Sequence, residues 1–123
     1  MSNPDKIPKF RLRVVFGPED WMGPGKAELL ERIAETGSIS AAGRDMGMSY
    51  KRAWQLVEAM NAMFRESLVH STRGGARGGG AVLTDAGQRV LAEFRGLEAE
   101  AEQAGATHIA RLQDMLRDIP DGK

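Results

Sequence analysis

The stretch from Ser38 to Phe64, SISAAGRDMGMSYKRAWQLVEAMNAMF, restricts the possible folds of this chain more than any other. It reads as two helices joined by a tight turn. Ser38 offers a side-chain acceptor to the free amides of a first helix, and Ala41, Ala42 and Gly43 are small enough for a second helix to cross it closely. Gly47 interrupts the pattern where such a turn needs a residue that tolerates left-handed backbone, and Met46 and Met48 flank it with apolar anchors. Ser49 is a second hydroxyl cap, after which a helix runs to about Arg65.

The second helix has two unlike faces. At about 100° per residue, Ala53, Leu56, Val57, Met60 and Phe64 share one side, while Lys51, Gln55 and Glu58 point away with Arg52 and Trp54 on the flanks. A free face that opens with Ser49, Tyr50, Lys51, Arg52 and Gln55 suits a DNA major groove. Lys and Arg bind phosphate or guanine, Gln pairs with adenine, and hydroxyls bond phosphate oxygens. The competing reading is an ordinary helical hairpin with a solvated polar side.

The flanking segments favour the first reading. Phe10 to Phe16 alternates as a strand with one buried face, and it is expected to pair with strands beyond residue 67. Trp21 and Met22 read as apolar plugs in the loop that follows. Lys26 to Thr36 repeats apolar residues at helical spacing and ends at Gly37, a C-terminal cap, so a third helix precedes the pair. After Phe64, the segments Leu68 to Arg73 and Ala81 to Leu83 read as short strands closed by GGARGGG. A glycine-tipped hairpin behind a recognition helix is a wing, with Arg73 and Arg77 available to phosphate or a minor groove. Three alternatives compete at this loop: a nucleotide-binding phosphate loop, an RNA-binding RGG segment, or a linker without contacts. The first lacks the Lys-Ser/Thr and following helix that it requires.

Thr84 and Asp85 open a long last helix on which Val90, Phe94, Leu97 and Ala101 recur at spacings of four and three, like a coiled-coil seam. The seam predicts a homodimer; the alternative is that the stripe folds back onto its own domain. Gly105 is a candidate break in this helix. The expected fold is mainly α with a small β wing: a flexible arm over 1–9, a winged helix-turn-helix over 10–84, and a C-terminal helical dimerisation region over 85–123.

Length and charge fit this division. A chain of 123 residues holds one domain with a real core plus one extended element. The net charge is zero, yet residues 44–77 carry +3 and residues 85–123 carry −3, which separates a basic phosphate-facing middle from an acidic tail. There is no cysteine, no apolar run near the roughly 20 residues of a membrane span, and no secretory signal in residues 1–10. A soluble, cytoplasmic protein is expected.

The run GPGKAELLERIAETGSISAAGRDMGMSYKRAWQLVEAMN, followed by the glycine wing and LTDAGQRVL, resembles the N-terminal DNA-binding domain of ModE-type molybdate-responsive transcription regulators, and more distantly that of LysR-type regulators. The likeness spans about Phe10 to Leu97 and is most specific at SISAA, GMSYKRAW, AMN and the glycine wing. It implies double-stranded DNA as partner, with Ser49, Tyr50, Lys51, Arg52, Gln55, Arg73 and Arg77 facing it. Gly43 stands where the family usually carries Ala. The best-known members add a C-terminal β domain that senses the oxyanion, for which residues 85–123 leave no room, so molybdate enters through the resemblance alone and no cofactor is expected on this chain.

Enzyme chemistry has no foothold. His70 and His108 lie far apart without cysteines or clustered carboxylates, and Ser49 has no His-plus-acid arrangement beside it. The expected function is sequence-specific transcription regulation, most simply repression. The alternative is an adaptor that uses the same fold to bind nucleic acid without reading sequence, or to bind protein.

Overall fold

The computed structural model describes residues 7–72 and 80–117. In chain order it forms β1 (Val14–Val15), β2 (Trp21–Met22), α1 (Pro24–Thr36), α2 (Ile39–Asp45), α3 (Tyr50–Met63), β3 (Val69–Thr72), β4 (Gly80–Leu83) and α4 (Asp85–Asp114). This is a winged helix-turn-helix with a long C-terminal helix.

The local chemistry sets the element boundaries. Pro24 occupies the first turn of α1, where its missing N–H is no loss, and Gly37 ends the helix in the left-handed region with its N–H on the Ile33 carbonyl. Ser38, Ser49 and Thr84 each accept a backbone N–H three residues on, at 3.0 Å, and so start α2, α3 and α4. Between α2 and α3, Gly47 has φ of 75°. A Cβ on Gly43 would come within 2.8 Å of the Ala53 Cβ, so the crossing of the two helices requires glycine there or a shift of one helix.

The core is built from Leu29, Leu30 and Ile33 of α1, Ala42 of α2, and Ala53, Val57 and Met60 of α3, closed by Leu68, Val69, Ala81 and Phe94. Burial of each larger aliphatic side chain contributes roughly 1.5–3 kcal/mol. Asn61 fastens the end of α3 to β3: its Oδ1 accepts from the N–H groups of Leu68 and Val69 at 2.8 and 3.0 Å, and its Nδ2 donates to the Val69 carbonyl at 3.1 Å. The Gly37 carbonyl accepts from Ala81 N–H at 2.9 Å, which ties the hairpin to the α1–α2 turn.

Two expectations are corrected. The N-terminal strand does not pair beyond residue 67; β1 pairs antiparallel with β2, Val14 opposite Met22 and Val15 opposite Trp21. The cause is a local turn in which Phe16 and Gly17 both donate to the Asp20 carbonyl, closing a hairpin before the chain travels any distance. Trp21 and Met22, expected as plugs in the loop after the first strand, therefore form the second strand. The other correction concerns Gly105, which does not interrupt α4: the helix runs unbroken for 30 residues. A single glycine costs about 1 kcal/mol in a helix interior, and the flanking turns absorb it.

The wing hairpin is formed as expected at its base. β3 and β4 pair antiparallel, from Val69 opposite Leu83 to Thr72 opposite Gly80. Its glycine tip, with Arg73 and Arg77, lies outside the described residues.

Candidate nucleic-acid interface

The recognition surface starts where α3 starts. With the Ser49 hydroxyl holding Arg52 N–H, the side chains of the first two turns are set in rotation about the helix axis. Ala53, Val57 and Met60 go into the core, and Lys51, Arg52 and Gln55 are left exposed. Among the described residues these three form no ion pair and no side-chain hydrogen bond. Arg32 and Arg95, by contrast, are engaged. Arg32 bonds Glu28 on its own helix and reaches Asp45 of α2, and Arg95 of α4 grips Glu31 with two parallel N–H bonds of 2.9 and 2.8 Å while a third reaches Glu98. These carboxylates hold the Arg95 proton more tightly than usual and tie α4 to α1.

Tyr50 is 57% exposed and its ring lies 6.3 Å from that of Trp54, nearly parallel at 18°. Trp54 itself is half-buried against the core. The pair forms one wall of a cleft of about 410 Å³ between α3, the start of α2 and the base of the wing. A second, larger hollow of about 550 Å³ lies elsewhere, walled by Val14, Phe16, Phe64, Val90, Phe94 and Leu97.

The seam residues divide. Phe94 is 5% exposed and belongs to the protomer's own core, with Val90 packed beside it, so Phe94 is not free for a second copy. Its ring belongs to the core cluster, a placement the stripe's spacing could not distinguish from a seam. Gly87, packed against the Leu68 carbonyl with no room for a Cβ, brings α4 close enough for this. Leu97 is exposed and Ala101 half-buried.

Sequence reasoning missed a cation cluster behind the recognition helix. Lys26 is 3% exposed; its Nζ donates to the Trp21 carbonyl at 3.0 Å and lies 3.6 Å from the centre of the Trp21 ring. Arg13 sits over the same ring at 3.8 Å. Burial lowers the Lys26 pKa from its ordinary value; Arg13 and Arg52 push the same way, while Asp20 opposes them. Trp21 is thus a platform for two cations as well as a plug. Only the apolar spacing of α1, which left Lys26 beside Ala27, Leu29 and Leu30, hinted at it.

Among the described residues no group of three His, Cys, Asp or Glu side chains is placed to hold a metal ion, and no helix is long and apolar enough to cross a membrane. His70 and His108 are both exposed.

A three-helix core with a capped, polar-faced third helix and a β hairpin behind it defines the winged helix-turn-helix class. The family description "bacterial regulatory helix-turn-helix protein, lysR family" matches residues 25–88, and the chain belongs to that family. It is similar to a molybdenum-pterin-binding protein, MopB, of Rhodobacter capsulatus, with 49% identity over 78 residues, 63% of this chain and 29% of that protein. The molybdenum transport protein ModE of Azotobacter vinelandii is 39% identical over 79% of this chain and 34% of its own length. The DNA-binding transcriptional dual regulator ModE of Escherichia coli K12 is 47% identical over 55% of this chain and 26% of its own. The chain thus spans about a third or less of these relatives, which are regulators and binding proteins, not enzymes. The fold matches that of the CbnR DNA-binding domain solved with DNA, at a TM-score of 0.56 and 23% identity over 72% of this chain and 95% of that one.

Proposed function

We propose that this protein is a sequence-specific transcription regulator that binds double-stranded DNA as a homodimer in the cytoplasm. The observation that carries the reading is the bare polar side of α3: Lys51, Arg52 and Gln55 are exposed on a rigid, capped helix, and no described segment of the protomer covers them. In the major groove Gln55 is the adenine reader, Lys51 and Arg52 bind guanine or phosphate, and Ser49 and Tyr50 hold the backbone. Arg73 and Arg77 at the wing tip reach phosphate or the minor groove. Repression is the simplest outcome, because occupying a site blocks transcription without a further surface.

The homodimer reading rests on the end of α4 and the residues just after it, where Leu112, Met115 and Leu116 are 64%, 79% and 70% exposed. Apolar side chains exposed among the described residues at the end of a long helix suit a second copy, and a two-fold axis would set the distance between two half-sites. A link to molybdenum regulation comes from the relatives' names and is part of the proposal. Titrating molybdate while measuring operator affinity tests it: a shift in affinity supports the link, and an unchanged curve ends it.

The main experiment measures binding to duplexes selected from genomic DNA and to random duplexes. Lys51→Ala or Gln55→Ala should cost on the order of 1–3 kcal/mol on the selected fragments and little on random DNA. Equal losses on both would show a fold that holds nucleic acid without reading it.

A further inference from the structure

We infer that Lys9, Arg11 and Arg13, on the segment that leads into β1, form a second contact with the backbone of duplex DNA, on the flank of α3 opposite the wing. The inference rests on the DNA-binding reading and deepens it, since the polar face of α3 is then held from both sides. The segment lies ahead of residues 25–88, where the family match begins, so this contact belongs to neither the helix-turn-helix nor the wing.

The segment sorts its side chains by charge. Exposure alternates from Lys9 to Val14: Lys9, Arg11 and Arg13 are exposed, while Phe10, Leu12 and Val14 are half-buried. Alternate residues of an extended chain share one side about 6.6 Å apart, so the three cations stand in a row. Among the described residues none of them forms an ion pair or a side-chain hydrogen bond. The acidic residues of the hairpin, Glu19 and Asp20, lie in its turn, at the end away from Lys9.

Contacts at its two ends fix which way the row runs. Phe16 meets Phe64, the residue that ends α3, with ring centroids 6.5 Å apart. Arg13 lies over the Trp21 ring at 3.8 Å, and Lys26 Nζ is 3.6 Å from the centre of that ring. Lys26 in turn feels the charge of Arg52, in the first turn of α3. From Phe16 back to Arg13 the chain therefore passes from the end of α3 toward its start. Arg11 and Lys9 continue in that direction, toward the part of α3 that enters the groove.

The row and the wing occupy different flanks. At about 100° per residue, Arg52 is turned by roughly 160° from Tyr50 and from Trp54, with Lys51 and Gln55 between. Tyr50 and Trp54 share a cleft with Ser71 and Thr72 at the base of the wing. A duplex lying against Lys51 and Gln55 thus meets the wing on one side and the cation row on the other. Arg13 and Arg52 both repel Lys26, and Asp20 is the charge that offsets them there. Like charges gathered in this way are relieved by a polyanion.

The test uses the whole chain carrying Lys9→Gln and Arg11→Gln together. Both side chains are exposed, so the thermal melt should stay as it was. Affinity should fall about tenfold at ~0.15 M salt on selected and random duplexes alike, and the slope of log K against log salt should become shallower by about two, one for each phosphate released. Arg111→Gln, near the far end of α4, should keep the wild-type affinity and slope. In hydroxyl-radical footprinting the double variant should lose protection of sugars at one outer edge of the site, while the part covered by α3 stays protected.

A wild-type slope in the double variant, an equal loss in Arg111→Gln, or a footprint of unchanged length overturns the second contact and leaves DNA binding intact. A loss confined to the selected fragments overturns it in favour of base reading. Lost binding to anionic phospholipid vesicles, with duplex affinity untouched, overturns it in favour of a lipid surface. Failure of the unsubstituted chain to bind any duplex overturns the DNA-binding reading and this contact with it.

Discussion

The outward side of α3 and the end of α4 are both left uncovered by the described residues of the protomer, but they are uncovered in opposite ways. On α3 the bare residues are Lys51, Arg52 and Gln55; at the end of α4 and just after it they are Leu112, Met115 and Leu116. A hydrated cation on a surface costs nothing to leave exposed, and its readiness for phosphate has to be inferred from the absence of a carboxylate partner. Two exposed leucines and a methionine carry a standing penalty of hydration that a protein partner would remove. On the proposed function the two surfaces suit different kinds of molecule. The first three turns of α4 are spent on the core.

That division of α4 is the part of the comparison most sharply breakable. Phe94→Ala should lower stability by about 3–5 kcal/mol, as an aromatic deletion from a packed interior does, read as a shift of the urea midpoint. If α4 were a free seam from its first turn, the same substitution would leave the protomer stable and weaken only self-association. A charged replacement at Phe94 would consequently report unfolding and is the wrong probe of a dimer.

The right probe lies 18 residues on. Leu112→Asp with Leu116→Asp should leave the melting behaviour of the protomer unchanged, because both side chains are exposed, while the dimer dissociation constant rises by at least about tenfold. Sedimentation at micromolar concentration reads this directly. A wild-type chain that sediments as a monomer, or a double variant that remains dimeric, would place the apolar tail outside any contact between copies.

The legibility of these regions from sequence followed the range of the interactions involved. Ser38, Ser49, Thr84, Gly37 and Gly47 act within one turn of their own positions, and each cap and turn was readable from residue type and spacing. The polar side of α3 was equally readable, since a period of 3.6 assigns it once the core side is known. What the pattern could not separate was a stripe that packs on its own domain from one that packs on a copy: Phe94 and Leu97 obey the same spacing, yet only the first is buried. The β1–β2 hairpin was misassigned because the Asp20 carbonyl, which closes it, belongs to a segment with no strand-like alternation. Asn61 stood within the AMN string of the resemblance, but its three hydrogen bonds to Leu68 and Val69 depend on a fold-back that residue type does not announce.

The smallest effect links the bare face to the buried cation behind it. Lys26 has its pKa lowered first by burial and then by Arg13, with a further contribution from Arg52, one of the uncovered residues of α3. A lysine whose folded pKa lies below its unfolded 10.5 binds fewer protons when folded, so stability must rise as pH climbs from the folded value toward 10.5. The wild type should therefore gain stability relative to Lys26→Met across that interval, and lose the advantage of neutrality below it. Arg52→Ala removes one of the charges that depress the value, so it should move the Lys26 titration, followed by the side-chain resonances, back toward 10.5 and flatten the pH dependence. An unmoved titration would mean that solvent screens Arg52 from Lys26, and that the exposed side of α3 is electrically separate from the hairpin beneath it. A phosphate bound at Arg52 should act in the same direction as the substitution, because it neutralises the same charge, and would let the buried lysine report occupancy of the outer face.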